Sequence, residues 1–225
     1  MTDFSNPLSA LGARILELPS FTSTRSAAST IGAASQALTN LRRDMEVLAQ
    51  DRTMTEAGQL ARVATLTTRR LSGQPAQLAA GARAAASAAL TAMEKLKAAE
   101  RVPIEERHLA PEIRAHVRGL DLHERVAFMA EATKNADLPT LRAVVEVPGF
   151  LTQVSPQMLD LARAKIHEIV APDAVAEAEA AQAAAEMLLI GEKLIKDELD
   201  RGRSATALEL AAKAANAAAV MTGAA

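Results

Sequence analysis

Alanine is the feature that most restricts what this chain can fold into. It makes up roughly a quarter of the 225 residues, against 4 Phe and no Trp or Tyr. Ala is the strongest helix former and gives up no side-chain entropy in a helix. It also buries little area. At about 25 cal/mol per Å² of apolar surface, an Ala-lined helix contact gains less than a Leu-lined one. A chain of this kind is expected to be all-α, with helices that gain stability from length or from partners. No stretch alternates β-branched and polar residues as a half-buried strand would.

Several function classes are excluded or disfavoured by composition. The formal net charge is -2, so no polyelectrolyte partner is implied. Residues 1–100 carry 11 Lys/Arg against 8 Asp/Glu and the remainder 14 against 19, an asymmetry that physiological salt screens. The absence of cysteine removes disulfides, Cys-ligated zinc, iron–sulfur clusters and thiol catalysis together. The start, Met1-Thr2-Asp3-Phe4, lacks the basic-then-apolar pattern of a signal peptide. The longest uncharged run, Ser26–Leu41, is too short to cross a bilayer. The expected location is therefore the cytoplasm, without secretion by a signal peptide.

Punctuation by Pro and Gly divides the chain into four parts. Residues 1–37, with Pro7, Pro19 and a Ser/Thr/Ala-rich stretch, read as a loosely ordered arm with short helical turns near 10–18 and 27–40. Residues 38–102 read as a long Ala-rich helical hairpin, with Ser72-Gly73 as the stop and Pro75 as the restart. Leu78, Ala82, Ala85, Ala89, Met93 and Leu96 form one stripe on its second helix. Residues 103–171 read as a small multi-helix domain holding all four His. Asp121 and Glu124 form a capping box there, followed by an apolar stripe of Leu122, Val126, Met129 and Ala130. Asn135 closes that helix and Ser155-Pro156 caps a later one. Residues 172–225 read as a long helix to about Asp200 and a separate short final helix after Gly202 and Ser204.

The candidate sites are few. His108, Glu112 and His116 are spaced four apart, as metal ligands on one helix face could be. Glu105, Glu106 and His123 lie near them. Pro111 falls inside the set and is expected to start a helix there, which breaks the alignment. The plainer reading is a solvated polar face, and the acids are explained as helix-start residues that complement the helix dipole. His167 reads as a surface histidine. No Gly-rich phosphate loop or nucleophile elbow is present. No catalytic, cofactor or metal residue is assigned. Arg42-Arg43 and Arg69-Arg70 lack interleaved aromatics and sit near acids such as Asp44, so no specific nucleic-acid binding is expected. Gly81 and Gly191, isolated within helices, read as points of close helix–helix approach. The least ordinary feature is an apolar cluster on a turn: Val145, Pro148, Phe150, Leu151 and Val154. Either Phe150 and Leu151 plug the core of the middle domain, or they form an exposed knob for another subunit.

The segment 121–170, with Leu-Pro-Thr-Leu-Arg-Ala-Val-Val and Pro-Gly-Phe-Leu-Thr-Gln-Val-Ser-Pro-Gln-Met, resembles stretches of helical proteins encoded by tailed bacteriophages and prophages. The resemblance implies a virion or assembly role and carries over no catalytic residue. The leading expectation is a non-enzymatic structural or assembly protein that oligomerises helix on helix, with copies of itself or other structural proteins as partners. Two rivals remain at this point. One is a helical coat or adaptor on an apolar surface, since the composition resembles that of polyester-granule coat proteins. The other is a metal-dependent enzyme built on His108, Glu112, His116 and His123.

Overall fold

A computed structural model describes residues 6–51 and 53–221, with the backbone alone for residue 57 and residues 205–221. Among the described residues every regular element is helical. They are α1 (Pro7–Leu16), α2 (Thr22–Gln50), α3 (Glu56–Leu71), α4 (Gln74–Ala99), a 3-10 turn (Ile104–Glu106), α5 (Ala110–Gly119), α6 (Leu122–Lys134), α7 (Leu138–Val145), α8 (Gly149–Thr152), α9 (Pro156–Val170) and α10 (Pro172–Met221). The chain is all-α, and no described helix is long and apolar enough to cross a membrane.

The contacts divide the chain into two compact units. Unit 1 takes residues up to Ser87 and from Ala180 onward, and unit 2 takes Ala88–Glu179. The long helices α4 and α10 therefore contribute residues to both. The four-part division expected from punctuation does not coincide with this one, because Pro and Gly mark the ends of elements and not the membership of a core.

In unit 1, Leu8 and Ile15 of α1, Ile31, Leu38 and Leu41 of α2, Leu71 of α3, Leu78 of α4, and Leu188, Ile195 and Leu199 of α10 form one core. The described part of the arm is helical and packed. Asn6 caps α1 by accepting from the Leu8 amide, and its own amide donates to the Ser35 carbonyl at 3.1 Å and the Thr39 hydroxyl at 3.2 Å. These bonds fasten the start of α1 to α2. α2 runs unbroken across the boundary expected at 37/38. The first helix of the expected hairpin, up to the stop at Ser72-Gly73, is instead two helices, α2 ending at Gln50 and α3 starting at Glu56. There the Asp51 carboxylate accepts from both the amide and the hydroxyl of Thr53, and Thr55 caps α3 on the Gly58 amide. Short polar side chains that bond their own backbone compete with the helix at that point.

The isolated glycines do mark close approaches. A Cβ on Gly81 would lie 3.3 Å from Leu188 and Thr30, and one on Gly191 would lie 3.4 Å from Ile31 and Leu8. Gly202 overturns an expectation. It does not end a helix, since α10 continues through it as one 50-residue helix. A Cβ at Gly202 would lie 3.0 Å from Thr67 of α3. Close packing there offsets the roughly 1 kcal/mol propensity cost of a mid-helix glycine.

Unit 2 is organised around α7. Five of its eight residues are buried: Thr140, Leu141, Ala143, Val144 and Val145. It packs against α5, α6, α8 and α9. Val117, Met129, Leu159, Ala162 and Ile166 complete the core. The capping box forms as expected: the Glu124 amide donates to the Asp121 carboxylate at 2.8 Å, and the Asp121 amide donates to Glu124 at 3.2 Å. Ser155 likewise caps α9 on the Met158 amide.

Two apolar stripes differ from expectation. On α4 the buried face follows Leu78, Ala82, Ala85 and Ala89, then passes to Ala92 and Ala99, leaving Met93 exposed. On α6 the buried face is Arg125, Met129 and Ala132, while Leu122 and Val126 are exposed. The apolar periodicity was real but α6 is rotated from it, because a buried arginine takes the central position.

Candidate functional site

The histidines do not converge. His108 precedes α5 and is exposed, and Glu112, His116 and His123 are exposed on α5 and α6. The His116 ring meets the Phe128 ring edge to face, with centroids 5.2 Å apart. Among the described residues no three His, Asp or Glu side chains gather as a metal site. His167 departs from the surface reading. Its Nε2 lies 2.9 Å from Glu100, which also faces Arg163 at 3.9 Å, so it joins α9 to the end of α4. Arg70 pairs with Asp44 at 2.8 Å, linking α3 to α2. Glu177 is bound to Lys95 at 2.9 Å.

The cluster on the turn divides. Val145 and Val154 belong to the core of unit 2. Pro148 is exposed, Leu151 is 43% exposed and Phe150 is 77% exposed. Phe150 and Leu151 therefore do not plug the core, which is closed by Val144, Val145, Thr152 and Val154.

The knob is held in place from below. α8 is one short turn, and by itself a helix of that length is unstable in water. Thr152 is fully buried, and its hydroxyl donates to the Gly149 carbonyl at 3.3 Å. Gly149 leaves no room for a side chain, since a Cβ there would lie 3.0 Å from Leu159 and 3.1 Å from the Val154 carbonyl. Gln153 closes α8 in the left-handed region, at φ 58°. A Gln there is strained by about 1–2 kcal/mol, which the surroundings must offset.

Arg125 supplies that offset. It is 7% exposed. Its guanidinium donates to the carbonyls of Val117 at 3.0 Å, Gln153 at 3.1 Å and Leu120, and to the Gln153 side-chain oxygen at 3.2 Å. The side chain thus satisfies the open C-terminal end of α5 and the left-handed turn after α8 at once. Carbonyls at a helix C-terminus carry partial negative charge, which favours a cation there without a carboxylate partner. The sequence held little signal for this role, since an arginine inside Asp121–Lys134 reads as one more solvated charge.

These positions project an aromatic and a leucine into solvent from a tethered turn. No family model, curated protein or solved structure matches this chain.

Proposed function

We propose that the chain is a non-enzymatic assembly protein that joins protein partners, copies of itself among them, through unit 2. One observation carries this reading. Phe150 is 77% exposed on a turn whose backbone is fixed from inside by Thr152, Gly149 and Arg125. Large aromatics are favoured at the centres of protein interfaces, and a preorganised one loses little entropy on binding. Among the residues whose side chains are described, unit 2 holds most of the large exposed apolar ones, with Leu122, Val126 and Leu161 among them. Isolated exposed apolar residues are ordinary, but a concentration of them on one unit is typical of an interaction surface.

The narrower version, a structural component of a bacteriophage virion, draws support from the resemblance of residues 121–170 to phage-encoded helical proteins. Neighbouring genes for capsid, portal or tail proteins would strengthen it.

The test is sedimentation velocity on the full chain, wild type against Phe150→Ser. The expected result is concentration-dependent association that weakens by at least about tenfold in the variant. The helical circular-dichroism signal should not change, because the side chain leaves solvent and not the core. Association of equal strength in both proteins would refute the role given to Phe150.

A further inference from the structure

Arg125 holds the far end of the turn that carries Phe150, at Gln153. The near end has a tie of its own. α7 stops at Val145 with Glu146 as its cap, and Pro148 cannot prolong it, having no amide to donate. The last carbonyls of such a helix need donors from other elements. Ala143 is 1% exposed, and its carbonyl accepts from Arg114 Nε at 2.7 Å. The same guanidinium donates through Nη2 to the Glu146 carboxylate at 2.6 Å.

Glu146 needs that partner. Its carboxylate stands at a helix C-terminus, where the open carbonyls already carry partial negative charge. Arg114 meets the carboxylate and one of those carbonyls with a single planar fork. The two bonds fix the point from which the chain leaves α7 toward Phe150.

We propose that Arg114 is a second positioning residue for Phe150, fixing the entry of the turn as Arg125 fixes its exit. The inference rests on the reading of Phe150 as a contact residue and names what sets its direction.

The topology supports it. Arg114 lies on α5, which packs against both α7 and α8. Arg125 takes the carbonyls of Val117 and Leu120 at the C-terminal end of the same helix. The ties close a ring. It runs from α5 through Arg114 to the end of α7, along the turn to Gln153, and through Arg125 back to α5. A turn held at one end can swing about it, whereas a turn held at both cannot.

Arg142 supplies the comparison. It lies on α7 and makes a bond of the same kind, Nε to the Ala99 carbonyl at 2.9 Å, but that bond ties α7 to the end of α4 and not to the turn.

The test is hydrogen exchange on the full chain for wild type, Arg114→Met, Arg114→Lys and Arg142→Met, with sedimentation velocity on the same proteins and on Phe150→Ser. The reporters are the amides of Glu146 and Leu151, which donate to the carbonyls of Arg142 and Pro148 at 3.0 Å and 2.9 Å. In Arg114→Met both should exchange at least about tenfold faster than in wild type. Association should weaken by at least about threefold, because the turn is no longer preorganised. Arg114→Lys keeps the charge beside Glu146 and loses the fork, so its rates should fall between the two; it decides the matter if the Met variant does not fold. Arg142→Met should lower Tm while leaving both amides and association as in wild type. Unchanged exchange in the Arg114 variants would overturn the inference. So would an equal loss of protection in Arg142→Met, since Arg114 would then act only through the stability of unit 2. A loosened turn with undiminished association, where Phe150→Ser does weaken association, would overturn it too. A wild type that is monomeric throughout sinks self-association instead, and the exchange rates still decide whether Arg114 sets the turn.

Discussion

Replacing Arg125 with Met tests whether unit 2 is held by the arginine as described. Met keeps an unbranched chain of similar length and removes the donors. The carbonyls of Val117, Leu120 and Gln153 lose their partner. A buried acceptor left unpaired costs about 1–3 kcal/mol, less where water can reach it. Leu120 is half-buried and Gln153 is exposed, so two of the three can be partly rehydrated. The gross loss is then about 4 kcal/mol, offset by about 2 kcal/mol because no guanidinium has to be desolvated on folding. A net destabilisation of about 2 kcal/mol in a unit of this size lowers Tm by about 8–16 °C. Thermal unfolding followed by circular dichroism measures the shift. Hydrogen exchange locates it, and protection should fall first around residues 117–121 and 149–154. The turn that carries Phe150 should loosen, so association should weaken although residue 150 is untouched. A Tm within about 3 °C of wild type, or one that rises, would refute the reasoning, because the desolvation cost would then match or exceed what the carbonyls gain.

Three further predictions follow from local geometry. Ala136 follows the Asn135 cap of α6 at φ 56°, with the Asp137 amide donating to the Ala132 carbonyl at 2.9 Å, so Ala136→Gly should stabilise unit 2 by about 1 kcal/mol in urea unfolding. Gly202→Leu should destabilise unit 1 by about 1–3 kcal/mol through overpacking on Thr67, and adding Thr67→Ala should recover part of the loss in the same assay. The Asp51 carboxyl is held below its ordinary value, first by the Thr53 hydroxyl and then by the Thr53 amide. Its contribution to the turn between α2 and α3 is therefore present above the ordinary Asp range and lost as pH falls through the lowered value; an NMR titration of that carboxyl should show the shift, and Thr53→Ala should reduce it.

Much of the helical architecture was legible because its signals are local. The capping box at Asp121 and Glu124, the Ser155-Pro156 start of α9 and the Pro172 start of α10 each depend on a few adjacent residues, and each appears where those residues stand. Gly81 and Gly191 were readable for a similar reason: an isolated glycine inside an Ala-rich helix has little purpose other than close approach. The interruption at 51–55 also arises locally, but its Asx and Thr caps compete with a strong apolar periodicity that runs through them.

What the tertiary structure alone decided is which side of each helix is inside. α6 carries apolar residues around much of its circumference, so periodicity permits several orientations. The choice falls to Arg125, which must reach the ends of two other elements, and that rotation leaves Leu122 and Val126 outside. The exposure of Phe150 has the same origin. Val144, Val145, Thr152 and Val154 are buried around this turn while Phe150 and Leu151 are not, and a close-packed core has no spare volume for another ring. Helix formation is a property of neighbours along the chain, whereas burial depends on residues distant in sequence, and a single sequence states the first far more directly than the second.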